Sequence, residues 1–408
     1  MLAIAWPMAL KAVILQATIV IDAWLVAGLG ETALAGLGLA AAVAGVALSA
    51  IFAFASALQI RTAQAEGTGD ATFLRSTLGA GLAVSGAIGA VSAVFLLITG
   101  TPILTALAPV PEAADLASDY LRIFVLVILG EALGQVLSSH FNGRGRPKVP
   151  LVSFALSLPV NVALSAALIH GAGGLPEMGV AGAAWGSVVA VAIQVGVMAA
   201  VLWRDGPRAT GWQGGGFGPA LGRHLAFVAP IATTFLSAGV AINLCNLLYT
   251  RMPLQDFAAM TLVVPWVKVA GAIGMQWAQG SGIVVAQLLG RRRGADDLDR
   301  FLSGAWRAGF VVAAGVAAIY AAVLLSVDWL YPTLAPGTRA IASGLLPLAV
   351  VLPILQQTNA ICGNTLRASG DTIYVMNLFL ASQWAFKVPA TALAVLVLDL
   401  PAFWVFAV

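Results

Sequence analysis

An all-α polytopic membrane protein is predicted by three observations: charge is scarce, apolar windows of bilayer length recur, and one half of the chain repeats the other at a fixed offset. Of the 408 residues, 60% are hydrophobic and 9% charged, whereas soluble domains carry about 25% charged residues. The mean hydropathy of +0.97 belongs to a chain dissolved in lipid. Its 44 glycines suit helices packed closely in a bilayer, where small residues let backbones approach. The net charge of +3 comes from loop arginines, so it reports topology and gives no nucleic-acid-binding surface. Cys245 and Cys362 both lie in apolar runs and suggest neither a disulfide framework nor a metal site.

A bilayer core needs about 20 apolar residues per helix. Such windows fall near 6–28, 33–58, 75–99, 118–140, 149–170, 179–203, 224–249, 257–287, 303–327, 340–363 and 372–398. A twelfth begins at about Ala402, and the sequence stops at Val408, short of a full span. The Gly-rich segment "RDGPRATGWQGGGFGPALGR" separates spans six and seven. It lacks the Lys-Ser/Thr ending of a phosphate loop and any strand before it. It reads as a linker, which sets an N-lobe at 1–205, a linker at 206–222 and a C-lobe at 223–408.

Basic residues set the orientation. A cytoplasmic N-terminus places fourteen of the twenty Lys and Arg in inside loops, among them Arg144, Arg146, Arg291 and Arg367. Outside loops then hold Arg122, Arg251 and Arg339 beside acidic residues such as Glu31, Glu112 and Asp256. "LAIAWP" at Leu2 to Pro7 recurs as "LAFVAP" at Leu225 to Pro230, a shift of 223, and the same shift carries Gln64 and Gly67 onto Gln287 and Gly290. Six spans per half is an even number, so the halves enter the membrane in the same sense. They are expected to be pseudo-symmetric parallel repeats with a substrate path where they meet.

Charges inside the apolar runs are the candidate functional groups. Asp22 sits in "QATIVIDAWLVAGLG". A charge near mid-membrane costs roughly 3 kcal/mol by insertion scales, so it is expected to face a cavity or a partner. Glu131, mid-span in "VLVILGEALGQVLSS", is a second protonatable candidate. Lys268 and Lys387 are candidates for an anionic or zwitterionic ligand, or for neutralising Asp22 or Glu131. The polar clusters holding Asn243, Gln356 and Asn359 read as interhelical hydrogen bonds or as cleft lining. Trp24 offers a face for an aromatic cation or an interfacial anchor. Prolines within spans, such as Pro7, Pro159, Pro230, Pro265, Pro353 and Pro389, mark kinks.

The segments "VIDAWLVAGLGETALAGLG", "TAQAEGTGD", "FNGRGRPKVP", "LPVNVALSAALIHG", "GLPEMGVAGAAWGS" and "GNTLRASGD" follow one another in an order and spacing that resemble the multidrug and toxic compound extrusion (MATE) family over nearly the whole chain. The resemblance implies two six-helix lobes around a central cleft. It also implies a secondary active antiporter of the plasma (inner) membrane, exporting small cationic or other amphiphilic compounds against inward proton or sodium flow. In the N-lobe it points to Asp22, Asn161 and Ser187, with Ser165 where the family commonly has Asp or Asn. One carboxylate, one amide and two hydroxyls suit a shared proton better than sodium, for which Asp22 and Asn161 would be ligands. In the C-lobe, Ala238 and Gln356 fall where one subfamily has carboxylates, so coupling is expected in the N-lobe. No cofactor beyond the coupling ion is expected; the expected partners are a small amphiphile and the bilayer, and the expected state is a monomer.

An exporter or flippase of anionic or lipid-linked substrates on the same architecture is the alternative. A membrane enzyme is not expected, because His140, His170 and His224 are expected in separate loops without ligand spacing.

Overall fold

Apolar runs in lipid must satisfy their own backbone hydrogen bonds, and helix is the form that does so within one segment. In the computed structural model, the described residues are almost wholly helical, with no strand among them. They comprise all but 109, 206–216, 331–334 and 408, together with the side chains of Phe217, Ala220, Thr261, Pro265, Lys268 and Leu330. Most of the expected linker and the Lys268 side chain therefore lie outside the described residues. The first half comprises α1 (Leu2–Ala27), α2 (Glu31–Thr68), α3 (Ala71–Leu107), α4 (Pro111–Gly143), α5 (Lys148–His170) and α6 (Val180–Arg204). The second comprises α7 (Phe217–Tyr249), α8 (Leu254–Gly290), α9 (Ala295–Leu325), the short α10 (Val327–Leu330), α11 (Pro336–Gly344), α12 (Leu346–Ser369), α13 (Thr372–Ala381), α14 (Val388–Leu396) and α15 (Ala402–Ala407).

Among the described residues, ten helical stretches are long and apolar enough to cross a membrane. A bent pair in α8, turning by 46° between Val264 and Val269, makes an eleventh. The bend falls where Pro265 was expected to kink the helix. Several helices outrun their expected windows, since α2 was expected at 33–58 and α4 at 118–140. Hydropathy marks the stretch that crosses lipid, while backbone hydrogen bonding carries on into polar residues such as those of "RTAQAEGT".

The repeat is borne by the helices themselves. α2 begins at Glu31 and α8 at Leu254, α3 at Ala71 and α9 at Ala295, α4 at Pro111 and α11 at Pro336, α5 at Lys148 and α13 at Thr372, α6 at Val180 and α15 at Ala402. Every difference lies between 222 and 225.

Two compact units divide the chain: Leu10–Ala232, and Thr233–Val408 together with Met1–Ala9. The expected boundaries at 205 and 223 therefore shift at their edges. Residues 1–9 pack with the second unit, where Ala5 joins a core of Trp277, Ala278 and Ile361. Residues 223–232 belong to the first. Each displaced segment begins a helix that carries the repeated proline, Pro7 in α1 and Pro230 in α7.

The recurring motifs become turn chemistry. In "TAQAEGTGD", Gly69 adopts the left-handed conformation (φ 71°) that ends α2, as a Cβ-free residue does most readily. Asp70 then caps α3, accepting from the Thr72 and Phe73 amides at 2.8 and 3.1 Å. In "FNGRGRPKVP", Arg144 donates to Glu66 at 3.2 Å and to Asp205 at 3.0 Å, and Arg146 also bonds Asp205. These pairs clamp the ends of α2, α4 and α6. Because the groups are partly exposed, breaking the clamp by Arg144→Gln is expected to cost about 1–3 kcal/mol. A thermal melt in detergent should show it as a fall of a few degrees.

The second unit is tied by longer-range bonds. Tyr320 donates to the Val267 carbonyl at 2.7 Å, Trp384 to Ser237 at 2.8 Å, and the Ala402 amide to Asp256 at 2.8 Å, which caps α15. Between α13 and α14 the helix widens into a π-turn at Ser382–Lys387, just before Pro389. Such widening is frequent at functional sites and relieves the hydrogen bond that proline cannot make.

Candidate functional site

Glycine spacing builds the first-unit site. Gly182 and Gly186 are four apart on α6 and share one face. A Cβ at Gly182 would fall 2.7 Å from the Leu168 carbonyl carbon, and one at Gly186 would overlap Ser165 Oγ. α6 is therefore pressed against α5, in the small-xxx-small manner of membrane helices. That contact sets Ser187 beside α5, where Asn161 Nδ2 donates to Ser187 Oγ at 3.4 Å. Asn161 and Ser165, one turn apart, are 2% and 0% exposed.

α1 brings Asp22 to the same depth. A Cβ at Gly28, just past the end of α1, would lie 3.9 Å from His170 Cε1 at the end of α5. Counting back at about 1.5 Å per residue, Asp22 lies about 9 Å before Gly28 and Ser165 about 7.5 Å before His170. Leu25 and Val26 of α1 share one apolar core with Ile169, Ala183 and Ala184. Three buried oxygens here, Asp22 Oδ1, Asn161 Oδ1 and Ser165 Oγ, have no hydrogen-bond partner. Tyr120 of α4, 5% exposed, interacts electrostatically with Asp22. The sequence reading missed it, although a lone tyrosine in an apolar run carries a polar tip that needs a partner.

Glu131 belongs to a separate group on α4. Gln135 Nε2 donates to Glu131 Oε2 at 2.8 Å. Lys11 Nζ donates to Ser138 Oγ at 2.6 Å and lies 4.4 Å from the centroid of the Phe154 ring. Residues 131, 135 and 138 lie on one helical stripe, and Lys11 and Glu131 attract each other electrostatically. Glu131 thus has an intramembrane lysine within its field, and that lysine is Lys11.

In the second unit, a cavity of about 410 Å³ is lined by α7, α8, α9, α12 and α13. Ala238, Gln356 and Asn359 all line it, so the two positions without their expected carboxylates border one cavity. Among the described residues that line it, Arg367 is the one that is charged. Gln356 also borders a second cavity of about 250 Å³, where Lys387 is the one charged residue among the described lining residues, with Asn246, Tyr249 and Tyr320 around it. Asn243 and Trp24 line neither; Trp24 is 73% exposed. The histidines stand in helices, not in loops as expected: His140 near the end of α4, His170 at the end of α5 and His224 in α7. Polar residues at helix ends prolong the helix, which hydropathy windows do not register. No cluster of three His, Cys, Asp or Glu suited to a metal occurs among the described residues. Cys245 is buried and Cys362 exposed, both as free thiols.

Known proteins resemble this chain in sequence and fold. The MatE family model matches residues 7–167. A probable multidrug resistance protein NorM of Bradyrhizobium diazoefficiens is 29% identical over 405 residues, covering 95% of this chain and 84% of its own length. A protein of the same description from Deinococcus radiodurans is 28% identical over 403 residues, covering 94% and 85%. Among solved structures, a MATE protein in a bent conformation superposes with a TM-score of 0.88 at 18% identity, over 99% of this chain and 90% of that one. An outward-facing MATE family transporter of the MOP superfamily superposes with a TM-score of 0.86 at 17% identity, over 100% and 90%. The helical repeat, the multi-pass character and the relatives over nearly the full length agree, and this chain is similar to the multidrug and toxic compound extrusion family of membrane transporters.

Proposed function

We propose that the protein is a secondary active antiporter that exports small amphiphilic compounds by alternating access, driven by inward proton flow. One observation carries the coupling role: Asp22 Oδ1, Asn161 Oδ1 and Ser165 Oγ are buried at one depth of the first unit without a hydrogen bond. Two of the three atoms can only accept, so the group is completed by something that donates. A proton on Asp22 supplies an O–H donor and removes the charge that lipid disfavours. Sodium is the weaker reading. Its oxygen donors are of the right kind, yet these residues offer only a few where a hard cation such as calcium gathers about six to eight.

In this reading Asp22 binds the proton, Asn161, Ser165 and Ser187 hold the carboxyl in place, and Tyr120 offers its phenol to the charged form. Glu131, balanced by Lys11, is a second protonatable group. The protein works as a monomer in the inner membrane with its N-terminus in the cytoplasm, as the basic residues indicate.

Transport in proteoliposomes tests the reading, with proton and sodium gradients applied separately. A proton gradient should drive efflux and a sodium gradient should not; the reverse result would reassign Asp22 and Asn161 to sodium. Tyr120→Phe removes the phenol that, in this reading, would donate to the charged form of Asp22, an interaction worth about 0.5–1.5 kcal/mol. It is expected to slow proton-driven efflux about threefold while leaving the fold intact.

A further inference from the structure

Arg367 is 4% exposed, yet no carboxylate and no hydrogen bond to its side chain accompany it among the described residues. Its guanidinium lies over two rings, with the Phe235 and Phe379 centroids 5.1 and 5.3 Å from its central carbon. Ring faces attract the cation but accept no N–H hydrogen bond of carboxylate strength, and Arg367 Nε has no partner. Gln357 Nε2, a second buried donor without a partner, borders the same cavity. Both helix faces agree: Gln356, Ala360, Gly363 and Arg367 fall at spacings of four, three and four along α12, so one stripe runs along the cavity wall.

The first repeat shows how such an arginine is otherwise satisfied. At the offset of 223, Arg367 corresponds to Arg144, which bonds Glu66 and Asp205. The same offset puts Leu289, which carries no charge, where Glu66 stands. Arg144 is a closed clamp, whereas Arg367 opens on a space of about 410 Å³, within the range of small-ligand pockets. An unpaired buried charge is costly unless a counter-charge and hydrogen bonds meet it. Its two aromatic neighbours offset only part of that cost.

We propose that the second-unit cavity is an anion-binding site, in which Arg367 takes the oxyanion head of an amphiphile in a bidentate grip and Gln357 donates to its acceptor atoms. Ala238, Ala313 and Val316 line the apolar space for its body. Arginine suits this task better than lysine, because its fork matches two carboxylate or phosphate oxygens. Calling the ligand cargo rests on the export reading above; the site itself does not. A small carboxylate and an anionic lipid headgroup share this chemistry.

Equilibrium binding to the purified protein in detergent, without any ion gradient, tests the assignment. Calorimetric titration compares 1-naphthaleneacetate with its neutral amide, and short-chain phosphatidylglycerol with phosphatidylcholine. The anionic member of at least one pair should bind about tenfold tighter than its match, and the winning pair tells soluble amphiphile from lipid. Arg367→Gln should bring that ratio close to one, and Arg367→Lys should keep part of it. Ala238→Glu, which adds a carboxylate to the lining of the same cavity, should weaken only the anion. The assignment is overturned if neither anion is preferred by the wild-type protein, or if the preference survives Arg367→Gln. Asp22→Asn should bind the anion as the wild type does. A variant that binds but no longer responds to a proton gradient leaves this site standing, and intact gradient-driven efflux in that variant counts against the coupling reading alone.

Discussion

Asp22→Asn protein in liposomes is expected to lose transport driven by a proton gradient, with the rate falling about tenfold or more, while substrate counterflow without a gradient persists. Asparagine keeps the size and the acceptor oxygen of aspartate, and in a low-dielectric setting it is the easier side chain to bury. Stability is therefore expected to hold or rise slightly. What disappears is the ability to gain and lose a proton, and with it the link between the gradient and the conformational cycle. A ligand or proton shifts a two-state equilibrium only through its differential affinity for the two states, and an amide at residue 22 has none to offer. Counterflow is the control, because a misfolded protein would fail in both assays. Proton-driven efflux at the wild-type rate would remove Asp22 from the coupling step and leave Glu131 as the next carboxylate to test.

How much of this was legible in the sequence differs between levels. The spans were, because a bilayer forces long apolar runs and helix is the only way for one segment to satisfy them. The repeat was also legible: the offset found between Pro7 and Pro230 reappears, to within two residues, in five pairs of helix starts. Asp22 stood out by charge alone, and the resemblance supplied Asn161, Ser165 and Ser187. Other features depend on tertiary approach and left little trace. Lys11 finds Ser138 on α4 across 127 residues of sequence. Arg367 lay in a motif that read as a basic loop, and only folding shows it closed in by Phe235 and Phe379. Lys387 was recognised as unusual, but its place beside Gln356 on a cavity wall is a matter of packing.

Substituting alanine at Gly186 is expected to destabilise the protein and to disable coupling at once, while the same substitution at Gly196, ten residues on in the same helix, should be neutral or slightly stabilising. At Gly196 nothing lies within 4 Å of an added Cβ. The intrinsic helix preference for alanine over glycine, about 1 kcal/mol, then acts unopposed. At Gly186 the added methyl would overlap Ser165 Oγ and come within 3.0 and 3.1 Å of the Ser165 backbone nitrogen and Cα. A side-chain hydroxyl can rotate away; a helix backbone cannot, so α5 and α6 must separate. Overpacking of this kind costs about 1–3 kcal/mol, more than the propensity gain returns. Separation would also stretch the Asn161–Ser187 contact, already 3.4 Å, and displace Ser165 from Asp22. A thermal melt should therefore fall for Gly186→Ala and hold for Gly196→Ala, with proton-driven efflux following the same order. Equal melts for the two variants would mean that α5 and α6 are not held together through this glycine, and the pocket built on their contact would lose its foundation.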